Sequence, residues 1–362
     1  MSITFTPKQL GAVEMIIDWF NNPGKQTFKL GGYAGTGKTT LLRHLLQRIE
    51  VPYAVTSFTG KAVSVLKKKG IPSAQTMHSF LYEPHEEKDG TVTFVKRLSF
   101  EEQFVANDES STVSQELNDD LLETGAKILY VGDPGQLEPV GTNPNLMKDC
   151  DIVLDEIHRQ AANSPILSFA TRVRNGEKVV RMEEKNEFGD LLICSPLEAK
   201  KRADEVDQVI CGFNKTRIEM NSVLRRHYNH TGILQEKEKL ICLRNDKNFG
   251  VFNGLIVFVD KIISEKSDHF VCTLKTEEGK VIPRIKINKL GLVEGEWNPQ
   301  NGRIPYEHCI FTYGYCITCH KSQGSEWDSV MILDQAHCKV WTPERWRYTA
   351  ITRAAKKLIY GI

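Results

Sequence analysis

The sequence has no apolar run approaching the roughly 18 residues that cross a bilayer, so no membrane span is expected. It also lacks a disulfide framework. Nine cysteines is an odd number, and their scattered spacing suits reduced thiols. The opening stretch, Met1 to Lys8, has no basic segment leading into an apolar one. No secretion signal is therefore expected, and the chain is placed in the cytoplasm. Neither sign of charge is in excess: 47 Lys+Arg face 46 Asp+Glu, which argues neither for nor against a polyanionic partner. Internal repeats and long low-complexity tracts are absent. What is there is ordinary globular composition, 40% hydrophobic and 26% charged. The 362 residues exceed the roughly 250 to 300 at which one core stops growing, so at least two domains are expected.

Local patterns say more than bulk composition. From Lys339 onward, Lys339, Arg345, Arg347, Arg353, Lys356 and Lys357 meet one acid, Glu344. This basic segment reads either as a solvated helix face or as a polyanion contact. Cys316-Ile-Thr-Cys319, followed by His320, has zinc-like spacing, with Cys309, His308 or Cys338 as further ligands. Tyr315 to Thr318 reads as a strand, however, and positions i and i+3 of a strand point to opposite faces, so no zinc site is expected.

Read along the chain, Leu10 to Phe20 has helical apolar spacing behind Thr6-Pro7. Phe28 to Leu30 is a short strand running into Gly31-Gly-Tyr-Ala-Gly-Thr-Gly-Lys-Thr-Thr40, after which Leu41, Leu42, Leu45 and Leu46 mark a helix face. Short apolar strands then alternate with helical stretches, which predicts a parallel sheet covered on both sides. Tyr82 to Arg97 reads as a protruding hairpin turning at Asp89-Gly90. Between Leu240 and Ile310 β segments follow one another without helices, with Asn253-Gly254 and Glu278-Gly279 as turns, and predict a small inserted antiparallel barrel. Alternation resumes from Phe311.

Gly32-x-x-x-x-Gly37-Lys38-Thr39, placed between strand and helix, fits a phosphate-binding loop. Its glycines (Gly35, Gly37), with Thr36 and Thr40, let backbone amides wrap the phosphates; Lys38 reaches the β- and γ-phosphates and Thr39 ligates Mg²⁺. Such an enzyme also needs a strand-end acid for the cation and a second carboxylate for the attacking water. Three places compete: Asp155-Glu156, Asp334 and Asp108-Glu109. The strands before Asp155 and Asp334 are cleanly apolar, whereas Asn107 mars the third. Pattern alone favours Asp155 and Glu156.

Asp108-Glu-Ser-Ser-Thr-Val-Ser114, Gly132-Asp-Pro-Gly-Gln-Leu-Glu-Pro-Val140, Leu154 to Gln160 and Tyr348-Thr-Ala-Ile-Thr-Arg353-Ala occur in an order that resembles superfamily 1 DNA helicases of the 5′-to-3′ branch, the RecD-like group with the Dda-type phage helicases. The resemblance covers nearly the whole chain. It implies that Asp108 and Glu109 are the working acids, that Gln136 senses the γ-phosphate, and that Arg159 and Arg353 reach it. It likewise implies that Gln9 reads the adenine edge and that Glu326 touches the nucleotide sugar. Thr59, Lys61, Thr76 and His78, with Thr318, His320 and Ser322, would face single-stranded DNA, and Phe94 on the hairpin would stack at the duplex junction.

The implied fold is α/β: two RecA-like P-loop NTPase domains with ATP between them, a β-hairpin insertion in the first and a small SH3-like β-barrel insertion in the second. Domain 1 would be 1–150, with the hairpin at about 82–100. Domain 2 would be 151–225 with 311–362, and the inserted subdomain 226–310. The implied activity is ATP- and Mg²⁺-dependent 5′-to-3′ translocation and unwinding in replication, recombination or repair. The implied partners are single-stranded DNA and its junctions with duplex, and a single-stranded-DNA-binding or replisome protein, for a monomer. The competing expectation is an ATP-switched nucleic-acid-binding protein that unwinds nothing.

Overall fold

The computed structural model describes residues 5–86, 92–138, 144–157, 163–246, 249–295, 304–305, 307–338 and 340–362. The chain divides into two units, 1–174 and 175–362.

The first unit is built on a sheet of β1 (Thr27–Gly32), β2 (Tyr53–Ser57), β3 (Gln75–Thr76), β6 (Phe104–Asp108), β7 (Lys127–Gly132) and β8 (Ile152–Leu154). Its order is β3-β2-β6-β7-β1-β8, and every pairing is parallel. Both faces are buried because alternate residues supply two separate cores. Phe104, Ala106, Leu129 and Val131 pack with α1 (Pro7–Asn21), α2 (Lys38–Leu46) and α3 (Gly60–Lys68). Val105, Ile128 and Tyr130 pack the other way, with α4 (Met77–Leu81) and α5 (Gln115–Leu122). This near-continuous apolar character is what a parallel strand covered on both sides requires.

The hairpin strands β4 (Tyr82–Glu86) and β5 (Val92–Lys96) pair antiparallel. They are tethered to α5, where Asp120 accepts hydrogen bonds from Tyr82 and, at 2.7 Å, from Lys96. The Asp89-Gly90 turn lies outside the described residues. The first unit also keeps β8, which pairs with β1, and α6 (Pro165–Arg174). The expected boundary at 150 is therefore corrected to 174: the β8 ladder belongs to the first sheet, and Arg174 at the end of α6 stacks on Tyr33 after β1.

The second unit has a sheet of order β17-β11-β18-β19-β10-β9, parallel except for β9 (Met182–Asn186) on β10 (Gly189–Cys194). The others are β11 (Gln208–Cys211), β17 (Cys316–Thr318), β18 (Trp327–Leu333) and β19 (Ala354–Gly361). Inserted in this chain is a five-stranded antiparallel sheet: β12 (Lys239–Cys242), β13 (Ile256–Glu265), β14 (His269–Thr276), β15 (Val281–Asn288) and β16 (Phe311–Tyr313). It extends to Tyr313, beyond the expected end at 310, because β16 pairs with β12. The basic C-terminal segment is not one solvated face. Arg347 pairs with Asp334, Lys356 with Asp328 and Lys357 with Glu205, while Arg353 is buried.

Asn107, the residue that interrupted the apolar pattern of β6, is fully buried and fully used. Its Oδ1 accepts from the paired Thr56 hydroxyl at 2.9 Å, its Nδ2 donates to Ser110 Oγ at 2.9 Å, and Ser110 Oγ donates back to its carbonyl at 2.7 Å. Asn107→Ala strands the buried Thr56 hydroxyl and should lower the unfolding free energy by about 1–3 kcal/mol. A denaturant titration showing a change under about 0.5 kcal/mol, the scale of an ordinary surface substitution, would contradict this role.

Candidate functional site

The loop between β1 and α2 holds its shape by close approach. Gly35 and Gly37 have φ of 78° and 77°, a left-handed backbone that glycine adopts without strain. A Cβ on Gly32 would sit 2.9 Å from both Lys38 Cγ and Thr36 Oγ1. Thr36 is buried and its hydroxyl donates to the Tyr33 carbonyl at 2.8 Å. Lys38 Nζ donates to the carbonyls of Gly32 at 2.6 Å and Tyr33 at 3.2 Å, which holds the ammonium over the loop. Thr39 and Thr40 lie in the first turn of α2, where backbone N–H groups have no helical partner and favour an anion.

Asp108 ends β6, two strands from β1 in the same sheet, and Ser57 Oγ donates to its carbonyl at 3.0 Å. Burial, reinforced by the Glu109 charge and opposed by Lys38, pushes the Asp108 carboxyl up to about 6. Glu109 follows with φ 55° and ψ 39°, a left-handed conformation that costs a non-glycine residue about 1–3 kcal/mol and collects at functional sites. Beyond β7, Asp133 Oδ1 accepts from Gly135 N at 2.8 Å, and the turn leaves Gln136 buried. Gln136 Oε1 and Ser111 Oγ are buried polar atoms with no hydrogen-bond partner among the described residues. Paired carboxylates, a neighbouring ammonium, helix-start amides and unsatisfied polar atoms at one sheet edge fit a nucleotide phosphate with a divalent cation.

The competing acids are otherwise engaged. Asp155 is exposed and pairs with Lys8 at 2.6 Å, which holds its carboxyl below the usual range. Asp334 accepts from Arg347 at 2.8 Å and Tyr360 at 2.9 Å. Arg159 lies outside the described residues. Gln9 is 2% exposed; its Oε1 accepts from Thr6 N at 2.8 Å in a capping box and its Nε2 donates to the Thr36 carbonyl at 2.9 Å. It braces α1 against the phosphate loop, a contact that sequence reading did not foresee. A second unforeseen contact is Arg174, whose guanidinium stacks 3.4 Å over the Tyr33 ring of the loop.

In the second unit Arg353 is 5% exposed. It donates to the carbonyls of Thr349 at 2.9 Å and Ser325 at 3.1 Å and to Thr352 Oγ1 at 3.1 Å, with no carboxylate partner among the described residues. A buried guanidinium without an anion is costly and suits an anionic ligand. Glu326 is exposed.

The residues expected to face nucleic acid divide. Thr59, Thr76 and Thr318 are N-caps, accepting from Ala62, Ser79 and Lys321 N respectively. Lys61 is buried on α3. His78 and Phe94 meet edge to face at 4.8 Å, with Phe94 39% exposed. His320 is half-buried against Trp341 at 5.5 Å, and burial lowers its pKa. Ser322 is corrected: it is fully buried and donates to the Cys319 carbonyl at 2.7 Å, so it locks a helical turn and is closed to a strand. In the cysteine pair, Cys316 Sγ faces Cys211 Sγ at 3.6 Å and Cys319 Sγ faces the Trp346 carbonyl.

With this geometry in place, the comparisons give the class. The family described as an AAA domain matches residues 5–191, and the UvrD-like helicase C-terminal domain matches 313–359. The chain belongs to the family described as an AAA domain, whose match spans more than half of it, and its C-terminal stretch matches the UvrD-like helicase C-terminal domain. It is 26% identical over 361 residues to the ATP-dependent RecD2 DNA helicase of Deinococcus radiodurans, covering 91% of this chain and 46% of that protein. It is 24% identical over 356 residues to the conjugal transfer protein TraA of Agrobacterium fabrum, covering 91% and 30%. The chain thus spans less than half the length of these curated relatives. Pif1 from Bacteroides in complex with ADP-AlF3 and single-stranded DNA superposes with a TM-score of 0.60 at 16% identity, covering 99% of this chain and 92% of that one. Pif1 from Candida albicans gives 0.57 at 17%, covering 100% and 95%, and at these identities the likeness establishes the fold. No helix among the described residues is long and apolar enough to cross a membrane.

The raised Asp108 carboxyl carries a stability cost. Its folded value of about 6 lies above the ordinary aspartate value of 3.8, so the folded state is favoured below about 3.8 and loses that advantage as pH rises through 6. Asp108→Asn should raise the melting temperature of the nucleotide- and metal-free protein at pH 7.5, a gain that disappears toward pH 4, while hydrolysis is lost. A lower melting temperature at pH 7.5 would contradict the assigned strain.

Proposed function

We propose that this chain is an ATP-driven DNA helicase that moves 5′-to-3′ along single-stranded DNA and separates duplex ahead of it. The observation that carries this reading is the convergence of Lys38, Asp108 and Glu109 at the carboxyl edge of one parallel sheet. Lys38 exchanges its loop carbonyls for the β- and γ-phosphates. Glu109 accepts a proton from, and orients, the attacking water, and Gln136 reports the γ-phosphate. Thr39 and Asp108 would hold Mg²⁺, which when bound neutralises charge on the phosphates. Arg159 and Arg353 are proposed to meet charge developing on the γ-phosphoryl group. Gln9 and Glu326 are proposed for the adenine and sugar.

Thr59, Lys61, Thr76, His78, Thr318 and His320 supply cations, hydroxyls and rings that track a backbone without reading base edges, as a translocating protein needs. Phe94 on the hairpin is proposed to meet the duplex junction. The relatives' association with DNA, including the single-stranded DNA bound by Bacteroides Pif1, supports DNA as the track. Action as a monomer in the cytoplasm, loaded by a single-stranded-DNA-binding or replisome protein, belongs to the same proposal.

Two measurements separate this from an ATP-switched binding protein. ATP turnover should rise with single-stranded DNA, and duplexes with a 5′ tail should be unwound while those with a 3′ tail are not. DNA-stimulated turnover without strand displacement would favour the switch. Lys38→Ala should abolish turnover. Arg353→Lys should reduce it by a factor on the order of 10³, because lysine keeps the charge but not the planar fork. Near-normal turnover in steady-state assays of either variant would remove the assignment.

A further inference from the structure

We propose that Asp268, His269 and His308 form a binding site for one divalent transition-metal ion, best suited to Zn²⁺, at a corner of the inserted antiparallel sheet. One donor atom from each residue lies within 4.8 Å of the other two. Asp268 stands between the imidazoles, with Oδ1 2.9 Å from His269 Nδ1 and Oδ2 3.8 Å from His308 Nδ1. The two rings are 4.4 Å apart between centroids and tilted by 46°. Two imidazoles and a carboxylate without a thiolate are a donor set for Zn²⁺ and its first-row neighbours, with room for water in the remaining position. Cys309 is next in sequence, but its Sγ turns to Asp246 Oδ2 at 3.5 Å.

The backbone under these donors is held from three sides. Lys266 N donates to the His269 carbonyl at 2.8 Å, Lys289 N to the Asp268 carbonyl at 2.9 Å, and Cys309 N to the Lys286 carbonyl at 2.8 Å. His269 and Asn288 are register partners on β14 and β15, and His308 is 2% exposed. Two of the three ligands are therefore placed before any ion arrives. Coordination at about 2.0–2.2 Å requires the donors to draw in, and Asp268, the exposed member, can rotate to do so.

The hydrogen-bond geometry around His308 suits an ion. Asn288 Oδ1 accepts from Leu290 N at 2.9 Å, which turns its Nδ2 toward His308 Nδ1 at 3.3 Å. By this network His308 Nδ1 carries the lone pair, and the hydrogen bond it would give up is long and weak. Glu307 Oε1, 4.0 Å from His308 Nε2, is available as an outer partner that orients the ring. A bound ion would staple the turn before β14 to the segment before β16. That role is independent of nucleotide chemistry.

The test uses the full chain after chelation, without nucleotide or Mg²⁺, with Zn²⁺ titrated by calorimetry and thermal unfolding recorded with and without the ion. The wild type should bind one Zn²⁺ more tightly than either variant and melt higher with it. His269→Gln and Asp268→Asn should each weaken binding about tenfold or more and lose the Zn²⁺-dependent rise in melting temperature, with DNA-stimulated ATP turnover unchanged. Asp268→Asn alters an exposed side chain, so it decides the matter should His269→Gln destabilise the metal-free fold. Equal Zn²⁺ affinity in wild type and Asp268→Asn, or no binding to the wild type in the micromolar range, would overturn the site and leave an Asp-bridged histidine pair.

Discussion

Two adjacent carboxylates, Asp108 and Glu109, are held together at the end of a buried strand, with the Lys38 ammonium foremost and Lys69 behind it acting against their repulsion. Left alone this is unfavourable: one carboxyl is pushed toward neutrality and the next residue sits in a left-handed backbone. The surrounding sheet over-determines the arrangement. The Thr56–Asn107–Ser110 hydrogen bonds fix the strand end, Ser57 secures the Asp108 carbonyl, and Gln9 ties α1 to the phosphate loop. Stability is given up where the proposed function calls for charge to be matched by a phosphate and its cation.

The second unit repeats this logic with the opposite sign. Arg353 is buried on carbonyl and hydroxyl oxygens, so its charge is solvated by dipoles but not neutralised. A carboxylate in the same position would give a structural ion pair, as Arg347 has with Asp334. Those two arginines stand six positions apart, Arg347 within the helix Pro343–Ile351 and Arg353 just after it, and only the first meets a carboxylate among the described residues.

Much of this was legible in the sequence. Short apolar strands alternating with helical stretches located the parallel sheets, and the glycine pattern located the phosphate loop, because steric and burial constraints there admit few residues. Asn107 misled the pattern reading because a buried polar residue is indistinguishable from an exposed one until its partners, Thr56 on the paired strand and Ser110 beyond it, are known. The domain boundary was misplaced because β8 is three residues long and its pairing with β1 is non-local. Ser322 read as a strand contact because its burial depends on packing of the turn that follows β17. The Asp268–His269–His308 corner was invisible because a lone His308 offers no spacing signal to a dipeptide on another hairpin.

The acid pair is the central assignment, and exchanging each candidate glutamate for its amide tests it most directly. Glu109→Gln should bind ATP with near wild-type affinity while single-stranded-DNA-stimulated turnover falls by about 10²–10⁴-fold, the scale of losing a positioned base. Glu156→Gln should turn over normally. The reverse pattern, with Glu156→Gln inactive and Glu109→Gln active, would contradict the assignment and move the working carboxylates to the end of β8.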